Sequence, residues 1–464
     1  MNPGRVVGLL KSSVFTLFRV ILWGDGKFAA ALLLAYFAVD FVQNAPFEDS
    51  LGGVADEAHE VAGRERQSSP VTIVEIDEKS LKEIGQWPWP RNKTAQLIRE
   101  IGNYGPAAIA LDFYMPEADQ TSPDKVADNL APGNEALAEA LRQLRSHDQI
   151  LADALYETPS ILGAAGFNFE TLTTSSGMRV TPIKVTGGDA TEHVRNFPFV
   201  LASLPELQMA AYSQSVLSVD ADADSGLVRH IPLVSAINGD LLVPSMALET
   251  LRVGFGVEAI NINVNQWGIE SYDIGDMNLP VQSDGQIWLH FAEADTRRYL
   301  SASDILRGEV DPLMISNKLV LLSLSGAGLT DYRGTPLGEY VPGIEIQAQV
   351  IESLFDGDYV LAPHWMKWTE LVLMVLGGLF IIWAVPQMNE AAALGVTLIL
   401  DFVFVQAGVW MFHNFSILFD SGTLGDNWIL TFTLLEVCML LSDKYMGGDQ
   451  SEGDEPLSAE GARA

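Results

Sequence analysis

Cysteine and basic residues are scarce in this sequence. Its 464 residues include one cysteine, Cys438, so no disulfide can form within the chain. No Cys/His spacing of the kind that binds zinc occurs either. Lysine and arginine number 27 against 60 aspartates and glutamates, and the formal net charge is −33. Because nucleic-acid binding needs clustered basic side chains, this balance argues against a nucleic-acid partner, and the sequence predicts no metal site.

The acidity is concentrated in the middle of the chain. Residues 45–364 contain 46 acidic and 20 basic side chains. A field of this sign favours cations or basic partners. Solubility or adaptation to a salty habitat explains the same composition, and both interpretations stay open.

Long apolar runs are abundant and predict the topology. One lies near the N-terminus and three lie in the last quarter. Basic residues precede the first run, so the N-terminus is expected in the cytoplasm. The predicted segments are an amphipathic cytoplasmic segment at 1–27, transmembrane helices at 28–45, 365–386, 390–412 and 427–443, an extracytoplasmic domain at 46–364, and a disordered acidic cytoplasmic tail at 444–464.

Asp401 and Glu436 fall near the middle of the third and fourth predicted membrane helices, and Gln406 lies about one turn from Asp401. Ionisable groups are costly in lipid and therefore face a partner or a cavity. One interpretation is that they couple the outer domain to a partner, by docking or by sharing a proton. The other is that each carboxyl is protonated and satisfied by a neighbouring helix.

Two apolar runs of the outer domain end in aspartate. "VTIVEID" (Val71–Asp77) and "AAIALDF" (Ala107–Phe113) are typical of buried parallel strands, with a helix at about 92–103 between them. A strand, a helix and a second strand at this spacing form a crossover in a parallel sheet, so we expect Asp77 and Asp112 at the carboxyl ends of neighbouring strands. In open α/β sheets, ligands bind at these ends.

The rest of the domain mixes helices with short strands. "DADADSG" (Asp220–Gly226) is interpreted as an acidic hairpin turn rather than a calcium loop, because Ser225 and Ile231 stand where an EF-hand has Gly and Glu. The other predicted elements are a helix at 134–156, a strand at 160–167, a hairpin from 212, a helix at 244–253, strands at 260–264, 268–274, 286–291 and 318–323, and a helix at 343–355.

Catalytic motifs are not visible in the sequence. There is no nucleophile elbow and no Ser/His/Asp order, and Gly326 and Gly328 lack the rest of a phosphate-loop motif. The sequence therefore predicts a protein that is not an enzyme and that uses no cofactor. An enzyme acting on envelope substrates is the least favoured alternative.

Four motifs in this order resemble the CHASE type 2 family of bacterial extracytoplasmic sensing domains. They are "VTIVEIDEKSLKEIGQWPWPR", "AAIALDF", "SVDADADSGLVRHIPL" and "TPLGEYVPGIEIQAQVIESL", and the resemblance covers Val71–Gly357. It implies an α/β sensing domain, largely a parallel sheet with helices and β-hairpin additions, combined with four transmembrane helices in a bacterial inner membrane. Members usually continue into a cyclase or kinase, whereas this chain continues into "GGDQSEGDEPLSAEGARA". We therefore expect its signal to pass to a separate protein.

The expected function is a sensory or signalling-accessory protein of the inner membrane, with its large domain in the periplasm or extracellular space. That domain would bind an unidentified small ligand, ion or envelope protein. The alternative is a structural scaffold in an envelope complex. Expected partners are the lipid bilayer, the ligand and a separate signalling or envelope protein, and homo-oligomerisation stays open. The candidate ligand-binding residues are Asp77, Trp87, Trp89, Arg91, Asp112, Asp331 and Arg333.

Overall fold

The computed structural model describes residues 26–43, 64–130, 132–170, 178–179, 182–218, 226–326, 328–361 and 364–446. The chain divides into two compact units. One comprises Met1–Ala58 with Pro363–Ala464, here called the membrane unit. The other is His59–Ala362, here called the outer unit. All but Gly226 of the predicted acidic turn Asp220–Gly226, and almost all of the segments at 1–27 and 444–464, lie outside the described residues.

The described helices are numbered in chain order. They are α1 (Lys27–Gln43), α2 (Glu78–Ile84), α3 (Arg91–Asn103), α4 (Pro123–Asp128), α5 (Glu135–Arg142), α6 (His147–Tyr156), α7 (Pro205–Ala210), α8 (Met246–Gly254), α9 (Ala302–Arg307), α10 (Gly343–Asp356), α11 (His364–Ala384), α12 (Glu390–Phe415) and α13 (Ser421–Met446).

The described strands all belong to the outer unit. They are β1 (Val71–Ile76), β2 (Ala108–Leu111), β3 (Ser160–Phe167), β4 (Ile183–Thr186), β5 (Arg195–Phe197), β6 (Phe199–Leu201), β7 (Ser213–Val216), β8 (His230–Pro232), β9 (Val234–Ile237), β10 (Leu241–Pro244), β11 (Ile260–Asn265), β12 (Gly268–Ile274), β13 (Met277–Pro280), β14 (Gln286–Trp288), β15 (Tyr299–Ser301), β16 (Leu319–Leu324), β17 (Tyr332–Gly334) and β18 (Tyr340–Pro342).

A seven-stranded sheet forms the centre of the outer unit. Its strand order is β15-β1-β16-β2-β3, and β3 also pairs with β7 and β6. All these pairings are parallel except that of β6 with β3. Successive residues of β16 alternate between two apolar clusters, with Leu321 in one and Leu322 in the other. Helices α8 and α10 supply one cluster and α3, α6 and α9 the other, so both faces are covered and the central strands are continuously apolar.

The predicted adjacency of the first two strands is wrong. β16 lies between β1 and β2 and pairs in parallel with both. Asp77 and Asp112 therefore follow strands that are separated by a third one. The inserted strand comes from residues more than 200 positions later in the chain, which local periodicity cannot reveal.

Two further predicted elements differ in the structure. The hairpin from Tyr212 is absent among the described residues, because β7 pairs in parallel with β3 and β8 pairs with β14. The helix predicted at 134–156 is two helices, α5 and α6. Ser146 accepts a hydrogen bond from the backbone N–H of Gln149 at 3.2 Å, so it caps a new helix.

Smaller sheets complete the outer unit. β4, β11, β12 and β13 form a four-stranded sheet, and β5, β9 and β10 form a three-stranded one. β17 and β18 form an antiparallel hairpin in which Arg333 pairs with Val341. Because β18 leads directly into α10, this hairpin fixes the start of that helix.

The membrane unit contains helices α1, α11, α12 and α13. Three stretches of the described residues are long and apolar enough to cross a membrane, at Trp365–Gln387, Glu390–Phe415 and Ser421–Ser442. They correspond to the last three predicted spans. Helix α1 has 17 residues and matches the first predicted span, whose membrane crossing stays a prediction. Its Leu34 packs in one apolar cluster with Ile381 and Trp428.

Candidate functional site

A cavity of about 530 Å³ opens at the carboxyl edge of the central sheet. Its lining includes Phe167 at the end of β3, Asp112 just after β2, and Leu324 at the end of β16. This is the edge at which open α/β sheets bind ligands, because the crevice there is bounded by loops rather than by strand ladders. The cavity is therefore the candidate site.

Asp112 supplies a carboxyl group to this cavity. Ser323, at the adjacent end of β16, donates a hydrogen bond to its Oδ2 at 3.1 Å. Burial and, to a lesser extent, the nearby charge of Asp331 raise the pKa of Asp112 to about 7, against the opposing effect of the Ser323 hydrogen bond. Near neutral pH this side chain therefore exists in both protonation states.

The hairpin of β17 and β18 brings Asp331 and Arg333 to the same cavity. Nη2 of Arg333 lies 2.6 Å from Oδ2 of Asp331, and both side chains remain partly exposed. The backbone oxygen of Asp331 accepts a hydrogen bond from the N–H of Gly343 at 2.8 Å. The hairpin is thereby joined to the first residue of α10, and Arg333 and Gly343 line the same cavity.

Helix α10 contributes Gly343, Ile344 and Gln347 to the lining. The side chain of Gln347 is buried, since only 2% of the residue is exposed. Neither Oε1 nor Nε2 of Gln347 has a hydrogen-bond partner among the described residues. A buried amide without partners is costly, because it has given up its hydrogen bonds to water. Its position fits a ligand that supplies them.

Aromatic rings form the apolar side of the cavity. Phe167 and Phe169 meet edge to face with centroids 5.5 Å apart. The guanidinium of Arg195 lies 5.0 Å from the centroid of Phe197. The lining therefore combines a hydrophobic wall with charges of both signs. Among the described residues, no group of three or more His, Cys, Asp or Glu side chains is arranged to hold a metal ion.

Three of the seven candidate residues line the cavity and four do not. Asp112, Asp331 and Arg333 come together there. Asp77 instead caps α2, accepting hydrogen bonds from the N–H of Ser80 and from Oγ of Ser301, both at 2.8 Å. A cap of this kind stabilises the helix start by satisfying one of its free donors.

The "WPWPR" segment braces the fold beside α3. Trp89 is buried and donates from Nε1 to the backbone oxygen of Gly85 at 2.7 Å. The ring of Trp87 meets Phe113 edge to face at 5.3 Å and also contacts Trp89. These contacts give both indoles a packing role in the described structure.

Arg91 belongs to a separate polar cluster. Its backbone N–H donates to Oδ2 of Asp119 at 2.8 Å, and its Nε lies 3.8 Å from Oδ1 of Asp148. Burial lowers the pKa of Arg91, and the two aspartates oppose that effect. Arg91 therefore fixes the start of α3 against a neighbouring loop.

The sequence analysis did not identify five residues that line the cavity, namely Phe167, Phe169, Arg195, Phe197 and Gln347. Gln347 carried a weak signal, because it is one of several polar residues in a helix that is otherwise apolar enough to be buried. Arg195 and Phe197 carried none. They belong to a short strand whose approach to the cavity depends on long-range pairing.

A network of buried ion pairs, here called the clasp, lies along α10. Arg298 pairs with both Glu345 and Glu352. Arg66 lies 3.0 Å from Glu352, and Arg64 lies 3.0 Å from Asp356. The segment from Arg64, where the described part of the outer unit begins, is thus held against the last helix of that unit.

Asp401 and Glu436, the carboxyls predicted to lie within the membrane, do not meet within one chain. Asp401 lies against Gly425 of α13, and Glu436 is about 11 residues further along that helix, or about 16 Å at 1.5 Å per residue. Oε1 of Glu436 is buried and has no hydrogen-bond partner among the described residues. Gln406 is exposed on the surface of α12. Their coupling to a partner protein stays a prediction.

Sequence reasoning also missed a pair of carboxyls in the membrane unit. Oε1 of Glu370 accepts a hydrogen bond from the backbone N–H of Asp420 at 2.8 Å. Both side chains are buried, and Oε2 of Glu370 and Oδ2 of Asp420 have no partner among the described residues. Asp420 also caps α13 by accepting from the N–H of Thr423 at 2.9 Å.

Comparison with known proteins identifies one family. The model described as CHASE2 domain matches residues 28–384, more than three quarters of the chain. The match extends over the outer unit and into the membrane unit at both ends. No curated protein and no solved structure matches the chain.

Proposed function

Because the chain belongs to the CHASE2 domain family, whose domains are extracytoplasmic sensors, we propose that it is a multi-pass inner-membrane receptor. In this proposal the outer unit binds a small ligand in the cavity at the carboxyl edge of its sheet. The receptor passes the resulting signal to a separate protein, and the outer unit acts by binding rather than by catalysis.

The course of helix α10 is the observation that carries this proposal. Its first turn lines the cavity through Gly343 and Ile344. Its last turns hold the clasp, in which Glu352 and Asp356 bind Arg64 and Arg66. The chain runs from α1 to the clasp and from α10 on to α11. One helix therefore runs from the cavity to the clasp.

A ligand would act by favouring one position of α10 over another. Such a shift requires different contacts with the ligand in the two positions, since equal affinity moves no equilibrium. The cavity offers such contacts because it is built partly by α10 and partly by the sheet edge. Movement of α10 would then reach Arg64 and Arg66 through their ion pairs.

Filling the cavity tests the proposal. Asn168 is exposed and lines the cavity mouth, so Asn168→Trp obstructs entry without disturbing the core. The full-length chain with and without this substitution is crosslinked in its native membrane, recovered by pull-down and analysed by mass spectrometry. We expect a signalling partner whose recovery changes by about threefold or more in the variant.

Glu170→Trp is the matched control, because Glu170 is equally exposed two residues later and does not line the cavity. It should behave as the unmodified chain. An envelope component recovered equally from all three chains would contradict sensing and favour the scaffold role. Failure to recover any partner would contradict signal transfer to a separate protein.

A further inference from the structure

The N-terminus of α10 lies at the cavity. Gly343 and Ile344, the first two residues of the helix, line the cavity, and the preceding Pro342 offers no side-chain cap. The helix has 14 residues, so its dipole adds partial positive charge at this end. Such a terminus favours an anionic group.

A second feature, independent of the helix terminus, indicates a ligand at the same place. The buried Gln347 amide lies one turn along α10 and lines the cavity with both polar atoms unpaired among the described residues. Its Nε2 can donate to an oxygen of the ligand, and its Oε1 can accept from a donor on the ligand or from an ordered water.

Arg333 supplies the full positive charge. The β17–β18 hairpin ends at the residue before α10, and the backbone bond from Gly343 to Asp331 joins the two elements. The exposed ion pair between Arg333 and Asp331 has little strength, because water screens it. The guanidinium can therefore turn to a ligand at small cost.

The two cavity aspartates limit the charge of that ligand. Asp112 and Asp331 would repel a dianion more strongly than a monoanion, which favours a carboxylate over a phosphate. The wall of Phe167, Phe169 and Phe197 would bury an apolar body. The volume of about 530 Å³ is in the range of small-molecule pockets.

We infer that the ligand is a small organic carboxylate, bound through its carboxylate at the start of α10 by the N-terminus of that helix, Gln347 and Arg333. Its apolar part lies against the phenylalanine wall. This inference rests on the proposed sensory function and adds the chemical class of the ligand.

Calorimetric titration of the full-length chain in lipid nanodiscs at pH 7.5 tests the inference. The probes are phenylacetate and hexanoate, with phenylacetamide and hexanamide as uncharged counterparts and phenyl phosphate as the dianion. We expect at least one carboxylate to bind about tenfold or more tightly than its amide and than phenyl phosphate, because hydrogen bonds to a charged group are the stronger ones.

Two variants locate the binding site. Gln347→Met keeps the side-chain length but removes the amide, and Arg333→Gln removes the charge. Each should raise the Kd of the carboxylate about tenfold. Arg297→Gln is the matched control, since Arg297 forms the same exposed pair with the aspartate two residues before it, outside the cavity. It should leave the Kd unchanged within about twofold.

Folding of the variants is checked by thermal unfolding without ligand. Gln347→Met should unfold at the same or a higher temperature, because it removes an unsatisfied buried amide. Gln349→Met, on the same helix, should unfold earlier, because the Gln349 amide bonds the backbone N–H and C=O of Ala292, both at 2.9 Å. This contrast separates loss of a ligand contact from loss of structure.

Failure of every carboxylate to bind, equal binding of the amides, or unchanged affinity in both variants would overturn the inference. The sensory proposal has its own readout in the partner recovery of Asn168→Trp. If that recovery changes while no carboxylate binds, the cavity serves a ligand of another class. If Asn168→Trp changes nothing, the sensory proposal itself fails.

Discussion

Asp112 is the cavity residue whose charge depends most on its surroundings. It follows a fully buried strand, and Asp331 adds a second negative charge nearby. The Ser323 hydroxyl is the neutral partner that stabilises its ionised form. Arg333 and Arg195 also line the cavity, so ligand binding and ionisation of Asp112 act on the same local field.

Asp112→Asn should make stability less dependent on pH between about 4 and 7. The pKa of Asp112 is raised from 3.8 to about 7 in the folded state, so the folded protein holds this proton more tightly than the unfolded chain. Stability from this group is therefore full below pH 4 and is lost as the pH rises to 7, on the order of 4 kcal/mol, because about 3 pH units separate the two pKa values. Chemical unfolding of both proteins at pH 4.5 and 7.5 measures the difference. If the two proteins differed by the same free energy of unfolding at both pH values, the raised pKa would be contradicted.

At the residue scale, the sequence predicts where a residue lies in the fold when a local pattern determines that position. Asp112 could be placed at the sheet edge because an apolar run ends there in an acid. Asp77 follows the same pattern, yet it caps a helix, because a carboxylate at a strand end serves either purpose. Gln347 could not be identified, since its lack of a hydrogen-bond partner is a property of the packed structure.

At the element scale, α10 is distinguished by the carboxylates on its buried side. Glu345 and Glu352 are fully buried, and their partners come from other segments, Arg298 and the strap at Arg64–Arg66. Buried ion pairs add little net stability compared with apolar packing, but loss of one partner leaves the others unpaired. The clasp is therefore sensitive to single substitutions.

Glu352→Gln should weaken the contacts that hold the strap, Arg64–Arg66, against α10. Three arginines, Arg64, Arg66 and Arg298, share this carboxylate, so its neutralisation should cost about 3 kcal/mol. Limited trypsin digestion of the folded chain should cut at the strap several times faster than in the unmodified protein, and urea unfolding measures the change in free energy.

Glu309→Gln is the control for this substitution. Glu309 pairs with Arg307 on the surface, where such pairs contribute less than about 1 kcal/mol. Its trypsin digestion pattern should match that of the unmodified chain. Equal protection of the strap in both variants would show that the clasp does not hold it.

The elements that sequence predicted best are those with strong local signals. β1, α3 and α10 were expected within one or two residues, because each has a clear apolar pattern. The position of β16 and the partner of β7 were not, because strand pairing across 200 residues leaves no local trace. Correct elements therefore gave an incorrect strand order.

At the scale of the whole molecule, the two units differ in how they are packed. The outer unit buries polar networks around a parallel sheet, whereas the membrane unit packs helices through small residues. Gly425 of α13 lies so close to Asp401 of α12 that a Cβ atom there would collide with the carboxyl. Close approach through glycine is typical of membrane helix pairs.

Gly425→Val should therefore destabilise the membrane unit, by about 1–3 kcal/mol for an overpacked contact. Gly395→Val is the matched control, because a Cβ atom at Gly395 has nothing within 4 Å. Thermal unfolding of the full-length chain in detergent, followed by the fluorescence of its tryptophans, measures both. An equal shift for the two variants would exclude the α12–α13 contact as the cause.

The ion pair between Arg64 and Asp356 has a consequence for modularity. Its 3.0 Å distance brings the beginning and the end of the outer unit side by side. A domain whose ends adjoin can be inserted into a loop of another protein without stretching its host. Residues 64–361 therefore meet the geometric condition for a domain that is inserted between two segments of a host chain.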